Sequence, residues 1–285
     1  MKFNINFAKM FPWAFLISGA MIASVIVGYF SNGLNYGIDF AGGALVEFQT
    51  SASMNEIREK TTSSLSGDLH VQSQGKSIVI RTDTNTNVDG IKRAINEIDP
   101  NVVYLRIDSI GPKFSAELMS NGMVAMVWAI VGISLYIWAR FQWRFGVCAV
   151  LALVHDCIAV LGLYTLFRCD FSEASILAML VTLAYSVNDT VVIFDRVHKI
   201  REDNPGVNWF TVINKSLNIT LMRTILTSLT TLVALVVLYI FGGYVIQEFS
   251  LPIIIGVVAG CYSSVFIAPS LLLLSIRNSD ISLPK

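Results

Sequence analysis

Four ionisable side chains lie inside long apolar stretches of this sequence: His155, Asp156, Asp189 and Arg223. An ionisable group in hydrocarbon is costly unless it is paired or hydrated, so each one is a candidate functional residue. Carboxylates and imidazole bind and release protons, and the polar Asn188 adjoins Asp189. These residue types therefore indicate proton passage rather than a covalent reaction. For His155 the alternative is a hydrogen-bonded interior histidine.

Polar side chains at helical spacing accompany the arginine and form one predicted stripe: Ser216, Thr220, Arg223, Thr227 and Thr231. Such a stripe either hydrogen-bonds neighbouring helices or lines water. We expect Asp189 to lie at the same depth and to supply the counter-charge. The alternative is a purely structural ion pair, with an arginine that snorkels and threonines that hold helices together.

Six apolar runs must position these side chains. A hydrocarbon core of about 30 Å takes about 20 apolar residues as a helix. The runs that meet this requirement are 11–30, 123–139, 145–167, 176–194, 221–241 and 249–274. The first run is long for a signal peptide and lacks a convincing cleavage site, so we interpret it as a retained anchor.

The composition agrees with a chain solvated by lipid: 54% of the residues are hydrophobic and 14% are charged, against about 25% charged in ordinary globular domains. Zero net charge without a basic cluster argues against a nucleic acid partner. The four cysteines show neither a disulfide framework nor a metal-site spacing. No phosphate-binding loop, metal site or cofactor fingerprint is found, so a protonmotive force is the remaining energy source.

The positive residues of the short loops predict the orientation of the spans. With the N-terminus in the cytoplasm, the opposite side has Arg168 alone in its short loops. The cytoplasmic side then holds Lys2, Lys9, Arg140, Arg144, Arg196, Lys199, Arg201, Lys215, Arg277 and Lys285. Both termini are therefore expected inside, and the hydrophilic segment after the first span is expected outside.

That hydrophilic segment is predicted to form a small α+β domain. Strands are expected at 44–50, 69–72, 76–82 and 102–107, with a turn at Gly75, and helices at 53–65 and 88–98. Ser53 and Glu56 have the spacing of a capping box at the start of the first helix. The order βαββαβ is the ferredoxin-like arrangement. We therefore expect three parts: 1–30 with the first span, 31–120 as the domain outside the membrane, and 121–285 as a five-helix bundle.

Five motifs occur in order along nearly the whole chain: GIDFAGG at 37–43, the pair His155-Asp156, YSVNDTVVIFDRV at 185–197, LNITLMRTILTSLTTL at 217–232, and IGVVAGCYSSVFIAPSL at 255–271. With these motifs and this topology, the chain resembles the SecF family. It is also similar in helix arrangement to half of an RND-type proton-driven exporter. Cys261 stands where the family commonly has threonine, and it is not expected to touch the proposed relay.

The resemblance implies a polytopic α-helical membrane protein, with six transmembrane helices and a ferredoxin-like periplasmic domain between the first two. It implies a non-enzymatic subunit of the bacterial inner membrane that uses the protonmotive force to promote preprotein translocation. The implied partners are SecD, the SecYEG translocon, YajC, the emerging preprotein and membrane lipid.

The resemblance also assigns residues. The family's intramembrane aspartate and arginine fall on Asp189 and Arg223, with His155, Asp156 and Asn188 as further relay candidates. Gly37, Asp39, Gly42 and Gly43 of GIDFAGG are expected to form a hinge at the base of the domain, because glycine permits backbone changes that other residues resist.

Three other functions compete with this interpretation. The chain could be half of an exporter for a lipid or small solute, but the segment 168–175 is too short for a second outer domain. It could be an intramembrane hydrolase that uses His155 and Asp156, for which no nucleophile is evident. It could also be a passive scaffold of the translocon.

Overall fold

A computed structural model of the chain describes residues 5–64, 69–74, 77–82 and 88–277. Ten α-helices are found in these residues, after a short 3₁₀ turn at Phe7–Lys9. They are α1 Phe11–Asn32, α2 Ile38–Ala41, α3 Met54–Ser64, α4 Val88–Ile98, α5 Pro112–Arg140, α6 Trp143–Phe167, α7 Glu173–Asp203, α8 Trp209–Phe241, α9 Gly243–Tyr262 and α10 Ala268–Arg277. A π-helical segment, Ser263–Ile267, joins α9 to α10.

The strands are short and fall into two sheets. They are β1 Asn35–Tyr36, β2 Gly43–Gln49, β3 Leu69–Gln74, β4 Ser77–Thr82, β5 Val103–Ile110 and β6 Asp170–Phe171. The chain divides into two compact units: Tyr36–Met123 together with Asp170–Glu173 form one, and the remaining parts of the chain form the other. The turn expected at Gly75 and the positive residues Lys2 and Lys285 lie outside the described residues.

Six helical stretches are long and apolar enough to cross a membrane, which confirms the predicted number. They are α1, α5, α6, α7, α8 and a sixth stretch, Ile246–Ile276, that contains the π segment. Several helices extend beyond the predicted runs: α5 begins at Pro112 rather than 123, and α8 at Trp209 rather than 221. Hydropathy detects only the part of a helix that is apolar enough for hydrocarbon, whereas backbone hydrogen bonding continues to the next cap. At the start of α8 the Asn208 side chain accepts from the N–H of Phe210.

The six spans differ in how far this chain buries them. About half of the apolar window is buried in α6, α7 and the sixth span, at 56%, 50% and 56%. The corresponding fractions are 6% for α5 and 11% for α8. The spans α6, α7 and the sixth therefore form the interior of the unit, and α5 and α8 present most of their surface outward.

The α+β unit has the predicted ferredoxin-like topology. Its four-stranded sheet has the order β3-β4-β2-β5 and is antiparallel throughout. Val46 and Phe48 of β2 and Ile80 of β4 pack against Ile57 of α3 and Ile91 of α4, and all five side chains are buried. The sheet therefore buries one face under two helices, as the βαββαβ order predicts.

Two polar contacts fix the helices of this unit. Ser53 and Glu56 form the predicted capping box, because each one's side chain bonds the other's backbone N–H. Asp99, just after α4, accepts hydrogen bonds from the Thr50 hydroxyl at 2.6 Å and from the N–H groups of Ser51 and Asn101, each at 3.0 Å. These hydrogen bonds, of which the one from Thr50 has the largest effect, lower the pKa of Asp99 from 3.8 to about 2 and outweigh the opposing effect of burial.

Candidate functional site

Asp156 of α6 is fully buried in the helical unit. Its Oδ2 accepts hydrogen bonds from the hydroxyls of Ser186 on α7, at 2.6 Å, and Ser263 in the π segment, at 2.8 Å. Its Oδ1 lies 3.1 Å from Nδ1 of His155. Both carboxylate oxygens therefore have partners, and the partners come from three elements of the bundle.

His155 extends the network from α6 to α1. Its Nε2 lies 3.0 Å from the Ser18 hydroxyl, which lies 3.1 Å from the hydroxyl of Tyr262 on α9. The Tyr262 hydroxyl donates to the backbone carbonyl oxygen of Ala14 at 2.8 Å. The structure therefore brings the two predicted residues His155 and Asp156 into one continuous chain of hydrogen bonds, which we call the Asp156 network.

Asp189 of α7 has a different environment. It is only 2% exposed, but its Oδ2 has no hydrogen-bond partner among the described residues. Thr227 and Ser228 are the hydroxyl residues that face it from α8, and the Thr227 hydroxyl also donates to backbone carbonyls of its own helix. Cys261 of α9 interacts electrostatically with Asp189, but no hydrogen bond joins the two side chains among the described residues.

The expected ion pair between Asp189 and Arg223 does not form within the described part of the chain. Arg223 is exposed on α8, although its charge still interacts with the Asp189 carboxylate. Asn188 is exposed as well, because consecutive helical residues point about 100° apart and Asp189 occupies the inward position. Neither Arg223 nor Asn188 therefore belongs to the buried cluster around its predicted partners.

The polar face of α8 is rotated relative to the predicted stripe. The buried hydroxyl residues recur every four positions: Ser216, Thr220, Thr224 and Ser228. Thr227 and Thr231 lie half-buried beside this row, and the Thr231 hydroxyl donates to the Tyr185 hydroxyl at 3.0 Å. Prediction missed Thr224 and Ser228 because the stripe was drawn through the arginine. Their i, i+4 spacing from Thr220 was the available signal.

Two glycines of α9 pack closely against α7 beside Asp156. A Cβ at Gly256 would overlap the Thr182 side chain, and one at Gly260 would lie 3.0 Å from the Cβ of Ser186. Ser186 is one of the two hydroxyl donors to Asp156. The two glycines therefore provide the close helix approach that small residues permit, next to the Asp156 network.

The GIDFAGG segment is held by the residues that join α6 to α7. Within the α+β unit, the Gly37 N–H donates to the Phe171 carbonyl oxygen at 2.9 Å, and Asp39 Oδ2 accepts from the Glu173 N–H, the first of α7, at 3.1 Å. Arg81 of β4 forms a two-pronged ion pair with Asp170 in the same stretch. The expected hinge residues Gly37 and Asp39 are thus tied directly to the start of the helix that carries Asp189.

Gly42 and Gly43 make the sharp change of direction from α2 into β2. Their φ angles are +77° and +121°, conformations that side chains with a Cβ rarely adopt. This requirement explains why the motif ends in two glycines.

Among the described residues no group of three His, Cys, Asp or Glu side chains could hold a metal ion.

Comparison with known families decides how this arrangement is to be interpreted. A model described as "Protein export membrane protein SecD/SecF, C-terminal" matches residues 90–278, and one described as "SecD/SecF GG Motif" matches residues 30–54. The chain belongs to the SecD/SecF family. The first match contains all four intramembrane ionisable residues, and the second contains the GIDFAGG segment, which confirms the resemblance seen in the sequence.

SecF subunits are similar over nearly their whole length. Protein translocase subunit SecF of Cereibacter sphaeroides is 35% identical over 95% of this chain and 90% of that protein. The SecF subunit of Desulfurispirillum indicum is 37% identical over 95% of this chain and 91% of that protein.

Two solved SecDF structures have the same fold. SecDF from Thermus thermophilus, a translocon-associated membrane protein, matches with a TM-score of 0.87 and 27% identity over 97% of this chain. SecDF in a super-membrane-facing form matches with a TM-score of 0.73 and 26% identity over 98% of this chain. In both cases the present chain spans 39% of the SecDF chain. This SecD/SecF chain is therefore a multi-pass membrane protein with the SecF fold.

Proposed function

We propose that the chain is a non-enzymatic accessory subunit of the Sec translocase that acts with SecD and uses the protonmotive force to promote preprotein translocation and release. Membership of the SecD/SecF family supports this role, as does the similarity to named SecF subunits. The observation that carries the proton-coupled part is the environment of Asp189, a buried intramembrane carboxylate with one oxygen unpartnered in the described residues.

Asp189 is suited to accept a proton. A buried ionised carboxylate needs hydrogen bonds or a paired cation, and a missing partner leaves the cost of desolvation unmet. Protonation removes the charge and, with it, most of this cost. The charge of Arg223 acts on the same carboxylate, so proton binding changes the electrostatic attraction between α7 and α8.

The exposed position of Arg223 supports SecD as the partner on this side. Around it, the outward face of α8 is apolar, with Ile219 and Met222 before it and Leu226 after it, all more than 40% exposed. An arginine on such a face is costly in lipid and cheaper against a protein surface with a carboxylate at the same depth. A membrane carboxylate of SecD would satisfy this requirement.

In the proposed cycle, protonation of Asp189 weakens its attraction to Arg223 and shifts α7 against α8. The shift reaches the GIDFAGG segment, because α7 begins at Glu173, where Asp39 is bound. A potential of 100 mV supplies about 2.3 kcal/mol per charge, enough to bias a two-state element modestly with each proton. The α+β domain would alternate between positions that hold and release an emerging chain.

The remaining partners and the location follow from the same proposal. The chain would lie in the inner membrane with both termini in the cytoplasm and residues 31–120 in the periplasm. SecYEG, YajC, the emerging preprotein and surrounding lipid would be its further contacts.

Preprotein export into inverted membrane vesicles, with SecD present and the proton gradient controlled, tests the proposal. We expect Asp189→Asn and Arg223→Ala to abolish gradient-dependent stimulation at unchanged protein level. Asp195→Asn is the matched control, because Asp195 is on the same helix but half exposed and pairs with Arg140. Full stimulation in Asp189→Asn would contradict the proposal and favour a passive scaffold.

A further inference from the structure

The hydrogen bonds of the Asp156 network fix where its protons must lie. The Tyr262 hydroxyl donates its single proton to the Ala14 carbonyl oxygen, which can only accept. Toward Ser18 the Tyr262 oxygen is therefore an acceptor, and the Ser18 hydroxyl donates across 3.1 Å. With its proton committed, Ser18 can only accept from His155 across 3.0 Å. Elimination thus assigns a proton to Nε2 of His155.

That assignment leaves the other ring nitrogen without a proton in a neutral imidazole. Nδ1 lies 3.1 Å from Oδ1 of Asp156, and a lone pair facing an ionised carboxylate at this distance is repulsive. One more proton is needed between the two atoms, held as an imidazolium or as a carboxylic acid. This arrangement of hydrogen bonds therefore requires one proton more than a neutral histidine and an ionised aspartate supply.

We propose that the His155–Asp156 pair is a proton-binding site separate from Asp189, and that its proton controls the hydrogen bond between Ser18 of α1 and Tyr262 of α9. When the proton leaves, the ring takes its remaining proton on Nδ1 and donates it to Asp156. Nε2 then becomes an acceptor, and the Ser18 hydroxyl turns to donate to it. Tyr262 loses its donor, so one released proton breaks one contact between α1 and α9.

Among the described residues, the surroundings of the pair contribute hydroxyls rather than further charges. Ser18 on α1, Ser186 on α7 and Ser263 in the π segment are its polar neighbours, all buried. The titratable groups that face it are Tyr262, through Ser18, and Cys157, which interacts electrostatically with Asp156. When the pair loses its proton, the main response is therefore a reorientation of the hydroxyl groups around it.

The role of the Ser18–Tyr262 hydrogen bond in transport rests on the proposed proton-coupled function. The number of protons on the His155–Asp156 pair does not depend on that function. Helix α1 leads along the chain into the GIDFAGG segment, so a weaker contact between α1 and α9 would reach the expected hinge through the backbone. The second site would thus act on the first span, whereas Asp189 acts between α7 and α8.

Nitrogen-15 NMR of the full chain, histidine-labelled and in lipid nanodiscs, tests the proton count. His155→Gln identifies the signals of His155 among those of the three histidines. If the extra proton lies on the ring, we expect both ring nitrogens of His155 to be protonated. If it lies on Asp156, we expect the Nε2–H tautomer together with an infrared carboxylic acid band that Asp156→Asn removes. An Nδ1–H tautomer with ionised Asp156 from pH 5 to pH 9 would overturn the proposal, and wild type alone can give this result.

Tyr262→Phe tests the link to α1. Without the Tyr262 hydroxyl, Ser18 is free to donate to Nε2, so the Nδ1–H tautomer should become more populated by on the order of tenfold, the worth of one ordinary hydrogen bond. Tyr239→Phe is the matched control, because Tyr239 lies exposed on α8. An unchanged tautomer ratio in Tyr262→Phe would show that the link is absent.

The two proposals fail in different measurements. A proton-loaded pair by NMR, with full export stimulation in Asp189→Asn, would contradict the proposed function and leave the proton site standing. Lost stimulation in Asp189→Asn, with an unloaded pair, would contradict the proton site alone.

Discussion

The two intramembrane aspartates differ in their hydrogen bonding rather than in their burial. Both are at most 2% exposed, yet Asp156 has three polar partners and Asp189 Oδ2 has none among the described residues. A satisfied buried polar group stabilises a specific arrangement, whereas an unsatisfied one lowers stability and is retained for another reason. In terms of the two proposals, Asp156 shares a proton with His155 within a hydrogen-bonded network that organises the bundle, whereas Asp189 responds to protons and to Arg223 without such a network.

The largest expected effect comes from removing the carboxylate that is satisfied. Asp156→Ala leaves His155, Ser186 and Ser263 facing a cavity, and we expect it to lower the free energy of unfolding by about 3–5 kcal/mol, as for a broken buried pair. Asp189→Ala should cost less, since it breaks fewer hydrogen bonds. Thermal unfolding of both purified full-length variants in the same detergent measures the difference. Equal losses would remove the distinction between the two aspartates.

A smaller effect is expected from the packing beside the Asp156 network. Gly256→Ala places a methyl group into Thr182, and we expect a loss of about 1–3 kcal/mol from overpacking. Gly19→Ala is the matched control, because a Cβ at this position of α1 meets no atom within 4 Å. Unfolding of the two variants side by side gives the comparison. A Gly256→Ala variant as stable as Gly19→Ala would mean that α7 and α9 are not held at this distance.

The smallest effect concerns Asp99, a carboxylate with partners in the α+β domain. Its pKa of about 2 lies below the value of about 3.9 expected in an unfolded chain. Its stabilising contribution is therefore complete above about pH 4 and is lost as the pH falls toward 2. Hydrogen exchange of residues 43–110 in the full chain should show this loss, and Asp99→Asn should flatten it.

Asp89→Asn provides the control for this acid transition, because Asp89 is exposed at the start of α4. If wild type, Asp99→Asn and Asp89→Asn all lose protection at the same pH, hydrogen bonds to Asp99 do not set its ionisation. In that case Asp99 of the α+β unit would differ from Asp156 of the helical unit, whose hydrogen bonds are expected to contribute strongly to stability.

Local sequence patterns predicted the elements well. The helix α4 has the predicted bounds of 88–98, and the capping box of Ser53 and Glu56 forms, because both features depend on residues within a few positions. Six spans follow from apolar length alone. The first residues of α5 and α8 were predicted too far along the chain, because a polar helical turn carries no hydropathy signal.

Contacts between helices could not be predicted in this way. The ion pair of Asp189 and Arg223 was expected from equal depth, but depth does not fix the direction in which a side chain points, and Arg223 lies outward. Besides the adjacent His155, the partners of Asp156 are serines 30 and 107 positions away, with nothing in the sequence to connect them.

The sequence by itself determined the spans, the ferredoxin-like domain, the family and the identity of the ionisable residues, because apolar length, periodicity and motifs are properties of neighbouring positions. Only the tertiary structure decided which aspartate is satisfied and which is not. That distinction depends on the rotation of each helix about its axis and on hydroxyls contributed by α1, α7 and the π segment, and a rotation of one residue moves a side chain by about 100°.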